Sequence, residues 1–389
     1  MTQEEVRLIE ELSWNEKGLP QKDRTRHVHG LHPYLGKYIH QLVDYFLDKY
    51  FNEGDKILDP FAGSGTTLVE ANIHSMESVG VDISEFNVLL CRVKTDSYNL
   101  RLLKKEFSDI VQKVKERAKR NNAESRIDDY ISDNPIAEVE SKVDVKEATQ
   151  YLRAWYHPTA LYPLLVFRDL IPNYHYKDAL KILLSRTARS SRLAPHFQLD
   201  FPSKPFTEDY ECYKHARTCH PTTNAIGFLD RYEVDTYYRI AEFQTLRTRS
   251  DVELIHGDSR EEDYPIVSGV ITSPPYVGLI DYHEQHRYAY ELLGLKDKSD
   301  KEIGAKKAKN GKKATEAYKN GISDVISRIS ERTSGPIIFV VNDKYNMYEE
   351  ICRNIGVKIM ERMKRRVDRR TGRRSSDQFF EDIIVIRSR

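Results

Sequence analysis

Residues 56–82, KILDPFAGSGTTLVEANIHSMESVGVD, constrain the fold of this chain more than any other stretch. The short apolar run at about 56–59 predicts a strand. It feeds a turn, Asp59-Pro60-Phe61-Ala62-Gly63-Ser64-Gly65-Thr66, and a helical run follows. SVGVDIS then predicts a second strand that ends in an acid, Asp82. A strand, a crossover helix and another strand form one β-α-β unit, whose strands must run parallel. An α/β fold is the consequence.

Strand signals return in VELIHGD (252–258), SGVITSPPY (268–276) and GPIIFVVND (335–343). VKIMERMKRRV and DIIVIRSR predict a closing antiparallel pair with a basic loop between them. From about 95 to 250 the character changes to Lys, Arg, Glu, Asp and Tyr, with helical period in KKEFSDIVQKVKERAKR and DALKILLSRTARSSRL. Prolines break this stretch into short pieces. The pattern divides the chain into a first core part at 1–98, a largely helical insertion at 99–250 and a second core part at 251–389. The insertion is a candidate target-recognition region. No internal repeat is visible, and only AKKAKNGKKA (305–314) approaches low complexity.

A length of 389 residues accommodates this division, and 24 Tyr with 14 Phe supply core bulk to a chain that is 31% charged. Basic and acidic residues nearly cancel, 61 against 60, so local clustering decides where a polyanion can sit. No apolar run approaches the ~18 residues of a membrane span. The acidic, amphipathic N-terminus lacks secretory features. Four scattered cysteines, Cys91, Cys212, Cys219 and Cys352, fit free thiols in a reducing cytoplasm.

Glycines at the strand-to-helix turn let backbone approach a ligand, and the helix start offers free N–H groups. A phosphate-cradling loop would need a lysine after the second glycine, where Thr66-Thr67 stands. A dinucleotide fingerprint would need a third glycine where Leu68 stands. A nucleoside without phosphate, such as S-adenosylmethionine, needs close backbone approach, a carboxylate near its cationic end and an acid for the ribose. Asp59 and Asp82 occupy those places. A purely structural turn is the bland alternative, and the flanking Asp59-Pro60-Phe61 with Asp82 argues against it.

In Thr272-Ser273-Pro274-Pro275-Tyr276 two prolines end a strand, because neither donates to the ladder. They stiffen the segment so that the Ser273 side chain and the Pro274 carbonyl aim at one spot. Two fixed acceptors suit an exocyclic amine, and Tyr276 offers a flat face to an extruded base. An ordinary Pro-Pro turn is the alternative.

DPFAGSGT and TSPPY together resemble the amino-group DNA methyltransferases that use S-adenosyl-L-methionine. Ser-Pro-Pro-Tyr is typical of the cytosine-N4 enzymes, where adenine-N6 enzymes usually carry Asp or Asn first. DYHEQHRYAYELLGL (281–295) and HGLHPYLGKY (29–38) are also similar to family segments, and the likeness covers roughly 25–95 and 250–389. It implies a Rossmann-like seven-stranded sheet. Asp59, Pro60, Phe61, Gly63, Ser64, Gly65 and Thr66 would line the cofactor. Asp82 would take the ribose and Asp258 the adenine amine. Tyr34 and Lys37 would close over the methionine end. Ser273, Pro274, Pro275 and Tyr276 would hold the target base.

The expected reaction is direct methyl transfer to N4 of a flipped cytosine in double-stranded DNA, within a restriction–modification system and with a cognate endonuclease as a possible partner. Carbon-5 chemistry would need a Cys after Pro, which no cysteine here has. Adenine-N6 transfer, an RNA amino-methyltransferase and a catalytically idle DNA-binding subunit are the alternatives. Oligomeric state and recognition sequence are not legible.

Arg362 to Arg374 holds eight basic residues and one acid. Arg365, Arg366, Arg369, Arg370, Arg373 and Arg374 are candidates for duplex phosphates, against a plain solvated loop. The Lys-rich segment 296–319 fits phosphate contact and mobile loop equally. Cys212, His215, Cys219 and His220 lack the paired CxxC spacing of zinc sites, so packed or solvated side chains and no metal are expected. His283 and His286 predict one helix face near DNA. Trp14 and Trp155 predict core or interface anchors.

Overall fold

The computed structural model describes residues 7–14, 17–127, 143–276, 281–304, 312–343, 345–367 and 379–387. Its strands are β1 (Arg7–Leu8), β2 (Lys56–Asp59), β3 (Glu77–Asp82), β4 (Tyr210–Cys212), β5 (Arg217–Cys219), β6 (Val252–His256), β7 (Gly269–Thr272), β8 (Pro336–Val341), β9 (Ile359–Val367) and β10 (Phe379–Arg387). The main sheet runs β1-β9-β10-β8-β7-β2-β3-β6, so seven core strands carry a two-residue edge at β1. β6, β3, β2, β7 and β8 are mutually parallel, and β10 is antiparallel to both β8 and β9. The closing antiparallel pair thus sits where the sequence places it.

Central parallel strands are covered on both faces and must be apolar throughout. Their residues accordingly divide by parity. Leu58, Val79, Val81, Val270, Ile337 and Phe339 face one core layer, with Ile322, Val325 and Ile329 of the Lys312–Arg332 helix packed in it. Ile57, Ile271, Ile338 and Val340 face the other, with Leu42, Phe46 and Leu47 of the His40–Tyr50 helix. Trp14 packs against this second layer. Leu58 lies opposite Val270, so β2 and β7 are direct neighbours and their C-terminal ends emerge side by side.

The chain forms two compact units, one of residues 1–96, 242–284 and 297–389, the other of 97–241 and 285–296. The second is built from the helices Leu100–Ile127, Gln150–Trp155, Pro158–Leu170, Lys177–Ser191 and Arg287–Leu293, most of Ile226–Gln244, and a small β4–β5 hairpin. Its span differs from the 99–250 drawn from sequence by ending at 241 and by taking in 285–296. The reason is packing: the Arg192 guanidinium lies 4.5 Å from the Tyr288 ring, which joins the Arg287–Leu293 helix to this unit. Trp155 packs its ring near Tyr151 in the same unit. Among the described residues no helix is long and apolar enough to cross a membrane.

Candidate active site

The turn after β2 is fixed by its own acid. Asp59 is buried, and its Oδ1 accepts from the Phe61 amide at 3.1 Å and from the Thr272 hydroxyl at 2.6 Å. Tyr38 donates to Oδ2 at 3.3 Å and also meets the Thr67 hydroxyl, which donates to the Ile271 carbonyl at 3.0 Å. Burial lifts the Asp59 carboxyl to about 6, with these hydrogen bonds opposing it. Asp59 therefore ties the glycine-rich turn to the strand that leads into Ser273.

Gly63 and Gly65 adopt left-handed backbone, φ 51° and 75°. A Cβ on Gly63 would come 3.2 Å from the Tyr34 hydroxyl, and one on Gly65 would press to 2.9 Å from Cys91 Sγ. Gly65 caps the Thr66–Ile73 helix. Asp82, at the end of β3, accepts from the Gly63 amide at 2.7 Å, the Ser84 amide at 2.8 Å and Asn87 Nδ2 at 3.1 Å. Burial raises its carboxyl to about 7 against those bonds. Lys94 reaches the Ser64 carbonyl from beneath and Cys91 donates to the Gly63 carbonyl. Asn87, Cys91 and Lys94 all lie on the Glu85–Thr95 helix, and nothing in the sequence singled them out.

A cleft of roughly 780 Å³, part of it open solvent, runs past these residues. Phe61, Gly63, Ser64, Thr66, Asp82, Ser273 and Pro275 all line it. Tyr34, Lys37 and Asp258 also line it, joined by Asn87, Ser259, Tyr282, Lys301 and Glu302, which the sequence did not single out as cofactor residues. Asp59, Pro60, Gly65, Pro274 and Tyr276 are not in the cleft wall. Tyr34 stacks on Tyr282 with ring centroids 5.7 Å apart, and Lys37 donates to the His29 carbonyl. Asp258 is held bidentately by Arg260, with Oδ1 2.9 Å from Nε and Oδ2 2.5 Å from Nη2. Burial would raise this carboxyl, but Arg260 outweighs it and holds it below the usual range.

Ser273 donates its hydroxyl proton to the Val340 carbonyl at 2.8 Å. Tyr276 points its hydroxyl at Glu381 Oε1, 3.4 Å away. Glu381 in turn pairs with Arg365, whose Nε and Nη2 lie 2.9 and 2.6 Å from Oε2. Arg365 is 2% exposed, so as placed it does not present itself to phosphate, contrary to the sequence expectation. Its parity on β9 explains this: it shares the inward side with buried Met363, whereas Arg366 on the alternate side is exposed. Arg369, Arg370, Arg373 and Arg374 lie outside the described residues. His283 is buried against Glu302 rather than lying on an open helix face.

Among the described residues, four polar side-chain atoms at the cleft are buried without a hydrogen-bond partner: Ser64 Oγ, Thr66 Oγ1, Asn87 Oδ1 and Glu302 Oε2. Buried polar atoms are ordinarily paired, so this is bonding capacity reserved for a ligand. A glycine cradle, the desolvated Asp82 carboxyl and these orphaned atoms fit a polar nucleoside. Together with the sheet order, they define an α/β methyltransferase.

Comparison with known proteins then narrows the class. The family described as DNA methylase matches residues 9–92. The type II methyltransferase M.MjaII of Methanocaldococcus jannaschii is 36% identical over 434 residues, covering 95% of this chain and 82% of that protein. M.MvaI of Kocuria varians, also a type II methyltransferase, is 24% identical and covers 82% and 68% respectively. The chain belongs to the type II DNA methyltransferases of restriction–modification. That family implies S-adenosyl-L-methionine as methyl donor and DNA as the macromolecule bound.

Proposed function

We propose that this enzyme methylates N4 of a cytosine flipped out of double-stranded DNA. The observation that carries the reading is the convergence of Gly63 and Ser64 of the glycine turn with Ser273 and Pro275 on one cleft, the two loops being tied by the Asp59–Thr272 hydrogen bond. S-adenosyl-L-methionine supplies an electrophilic methyl there. Gly63, Ser64, Thr66 and Asp82 would hold its nucleoside part, with Asp258 turning towards the adenine amine. Tyr34 and Lys37 would stand over the methionine part.

The state of Ser273 supports an amine as target. Its proton is committed to the Val340 carbonyl, so Oγ offers only lone pairs to the cleft. An N–H group suits that acceptor. As an acceptor it would draw the amine towards the sp³ geometry that frees the nitrogen lone pair. Such contacts act where they tighten in the transition state. Ser in this place resembles the cytosine-N4 enzymes, where adenine-N6 enzymes usually carry Asp or Asn, and that resemblance favours cytosine N4.

The test is transfer of labelled methyl to duplex DNA followed by mass analysis of the nucleosides. N4-methylcytosine is the expected product. N6-methyladenine would replace the N4 reading, and transfer to RNA alone would remove the DNA reading. Ser273→Ala should lower kcat on the order of 10²-fold with cofactor binding retained. A wild-type rate would dismiss Ser273 as an amine acceptor. Arg366 and the basic residues 369–374 would follow the duplex backbone. Their neutralisation should flatten the salt dependence of DNA affinity. A cognate endonuclease recognising the same sequence would be the partner in the cell.

A further inference from the structure

The β4–β5 hairpin and the segment before it carry chemistry that methyl transfer does not use. Tyr210 lies opposite Cys219 and Cys212 opposite Arg217, so Cys212 and Cys219 project from the same face of the ribbon. The connecting turn closes with the His215 amide donating to the Cys212 carbonyl at 3.1 Å. Ala216 takes a left-handed φ of 50°, and His215 is carried back over the cysteine face. His196 arrives from the preceding loop. One ligand atom from each of His196, Cys212, His215 and Cys219 lies within 4.8 Å of the others.

The spacings are those of a coordination shell. His215 Nδ1 is 3.7 Å from Cys212 Sγ and 3.4 Å from Cys219 Sγ, and His196 Nδ1 is 4.0 Å from Cys212 Sγ. Zinc bonds of about 2.3 Å to sulfur and 2.0 Å to nitrogen make the S···N edge of a tetrahedron about 3.5 Å. His220, the nearer histidine in sequence, turns instead to Asp209 at 2.6 Å and is exposed.

The hairpin is also short, with a small apolar core. Its strands are three residues each, and its core cluster is Tyr210, Cys212 and Cys219 with Phe197 and Phe206 against them. Two-stranded ribbons this short are marginal in water without a staple. The two thiols are free, so the staple is not a disulfide. A disulfide would also leave two imidazoles gathered at the same point without cause.

We propose that His196, Cys212, His215 and Cys219 bind one structural zinc ion. Binding displaces the two thiol protons, and the neutral imidazoles coordinate through nitrogen. The Tyr210 hydroxyl, 3.2 Å from His196 Nδ1, gives up that contact to the metal. Four protein ligands leave no open position for water, so the ion holds the hairpin and takes no part in chemistry. The site is independent of the methyl-transfer reading.

The test is the metal content of the full-length protein purified without chelator. One zinc per chain is expected, and cobalt(II) exchanged into the site should show the intense visible bands of tetrahedral thiolate coordination. Cys212→Ser and His196→Ala should each lose zinc, while His220→Ala and Cys352→Ala keep it. Wild-type protein that holds no zinc and develops no cobalt bands overturns the proposal, whether or not any variant folds. A Cys212–Cys219 disulfide found by non-reducing peptide mass analysis overturns it too. Zinc lost from His220→Ala but retained in His196→Ala overturns the ligand assignment.

Discussion

The Thr272 hydroxyl donates to Asp59 Oδ1 across 2.6 Å, linking the end of β7 to the end of β2. Parallel pairing brings the two strand ends together, and this bond fixes how the loops leave them. Each loop therefore positions the other, although more than 200 residues separate them in sequence.

Thr272→Val should strip a buried carboxylate of its shortest hydrogen bond. The expected cost is about 1–3 kcal/mol of stability. Activity should fall further than stability predicts, because the turn and the Ser273 corner lose their common anchor. Thr272→Ser should restore both. Chemical denaturation beside steady-state kinetics checks this, and a valine variant with wild-type kcat and KM would show that strand pairing alone sets the geometry.

Cofactor affinity should depend on pH through Asp82. Its carboxyl is raised to about 7 by burial, so it is largely protonated in the empty enzyme at mild acidity. Ribose hydroxyls bond best to the ionised form. Affinity should therefore rise as pH increases through about 7 and level off above. Stability of the empty enzyme should move the other way. A carboxyl whose folded value lies above its unfolded value contributes stability fully below the unfolded value, and that contribution is lost as pH rises through the folded one. Calorimetric titration from acid to alkaline pH checks the first claim, and Asp82→Asn should flatten the profile.

Much of the core was legible because parallel strands buried on both faces must be short apolar runs. KILD, SVGVD and GVIT declare themselves, and the acid or Ser-Pro-Pro that follows each sits at the strand end. What escaped was set by register and distance. A charge count over Arg362–Arg374 cannot tell Arg365 from Arg366. Only the antiparallel pairing, with Arg365 opposite Glu381, shows that one arginine turns inward. Asp258 reads as a free acid until Arg260 folds back onto it. Lys94 and Cys91 read as ordinary helix residues, and their contact with the glycine turn follows from how that helix packs. Local spacing made His220 the natural companion of Cys212, whereas tertiary structure supplies His196.

The Arg365–Glu381 pair should govern Tyr276. Both side chains are buried, and Tyr276 leans on Glu381 Oε1. Breaking a buried pair by removing one partner costs about 3–5 kcal/mol, since the other charge is left uncompensated. Arg365→Met alone should be that destabilising, whereas Arg365→Met with Glu381→Leu should regain most of the stability. The double variant should still lack the hydrogen bond to Tyr276 and show a lowered kcat with cofactor affinity intact. Full activity in the double variant would mean that packing alone orients the tyrosine ring.

Gly65→Ala isolates the cradle itself. The position has φ 75°, and a Cβ there would stand 2.9 Å from Cys91 Sγ. Left-handed backbone costs a residue with a Cβ roughly 1–2 kcal/mol. The clash adds to that, because Cys91 is fully buried and has little room to yield. Cys91→Ala should therefore relieve part of the defect, and the two substitutions together should be less harmful than their separate effects summed. A double-mutant cycle on stability and on cofactor affinity measures the coupling. Strict additivity would mean that the backbone conformation, rather than the contact with Cys91, is what excludes a side chain at Gly65.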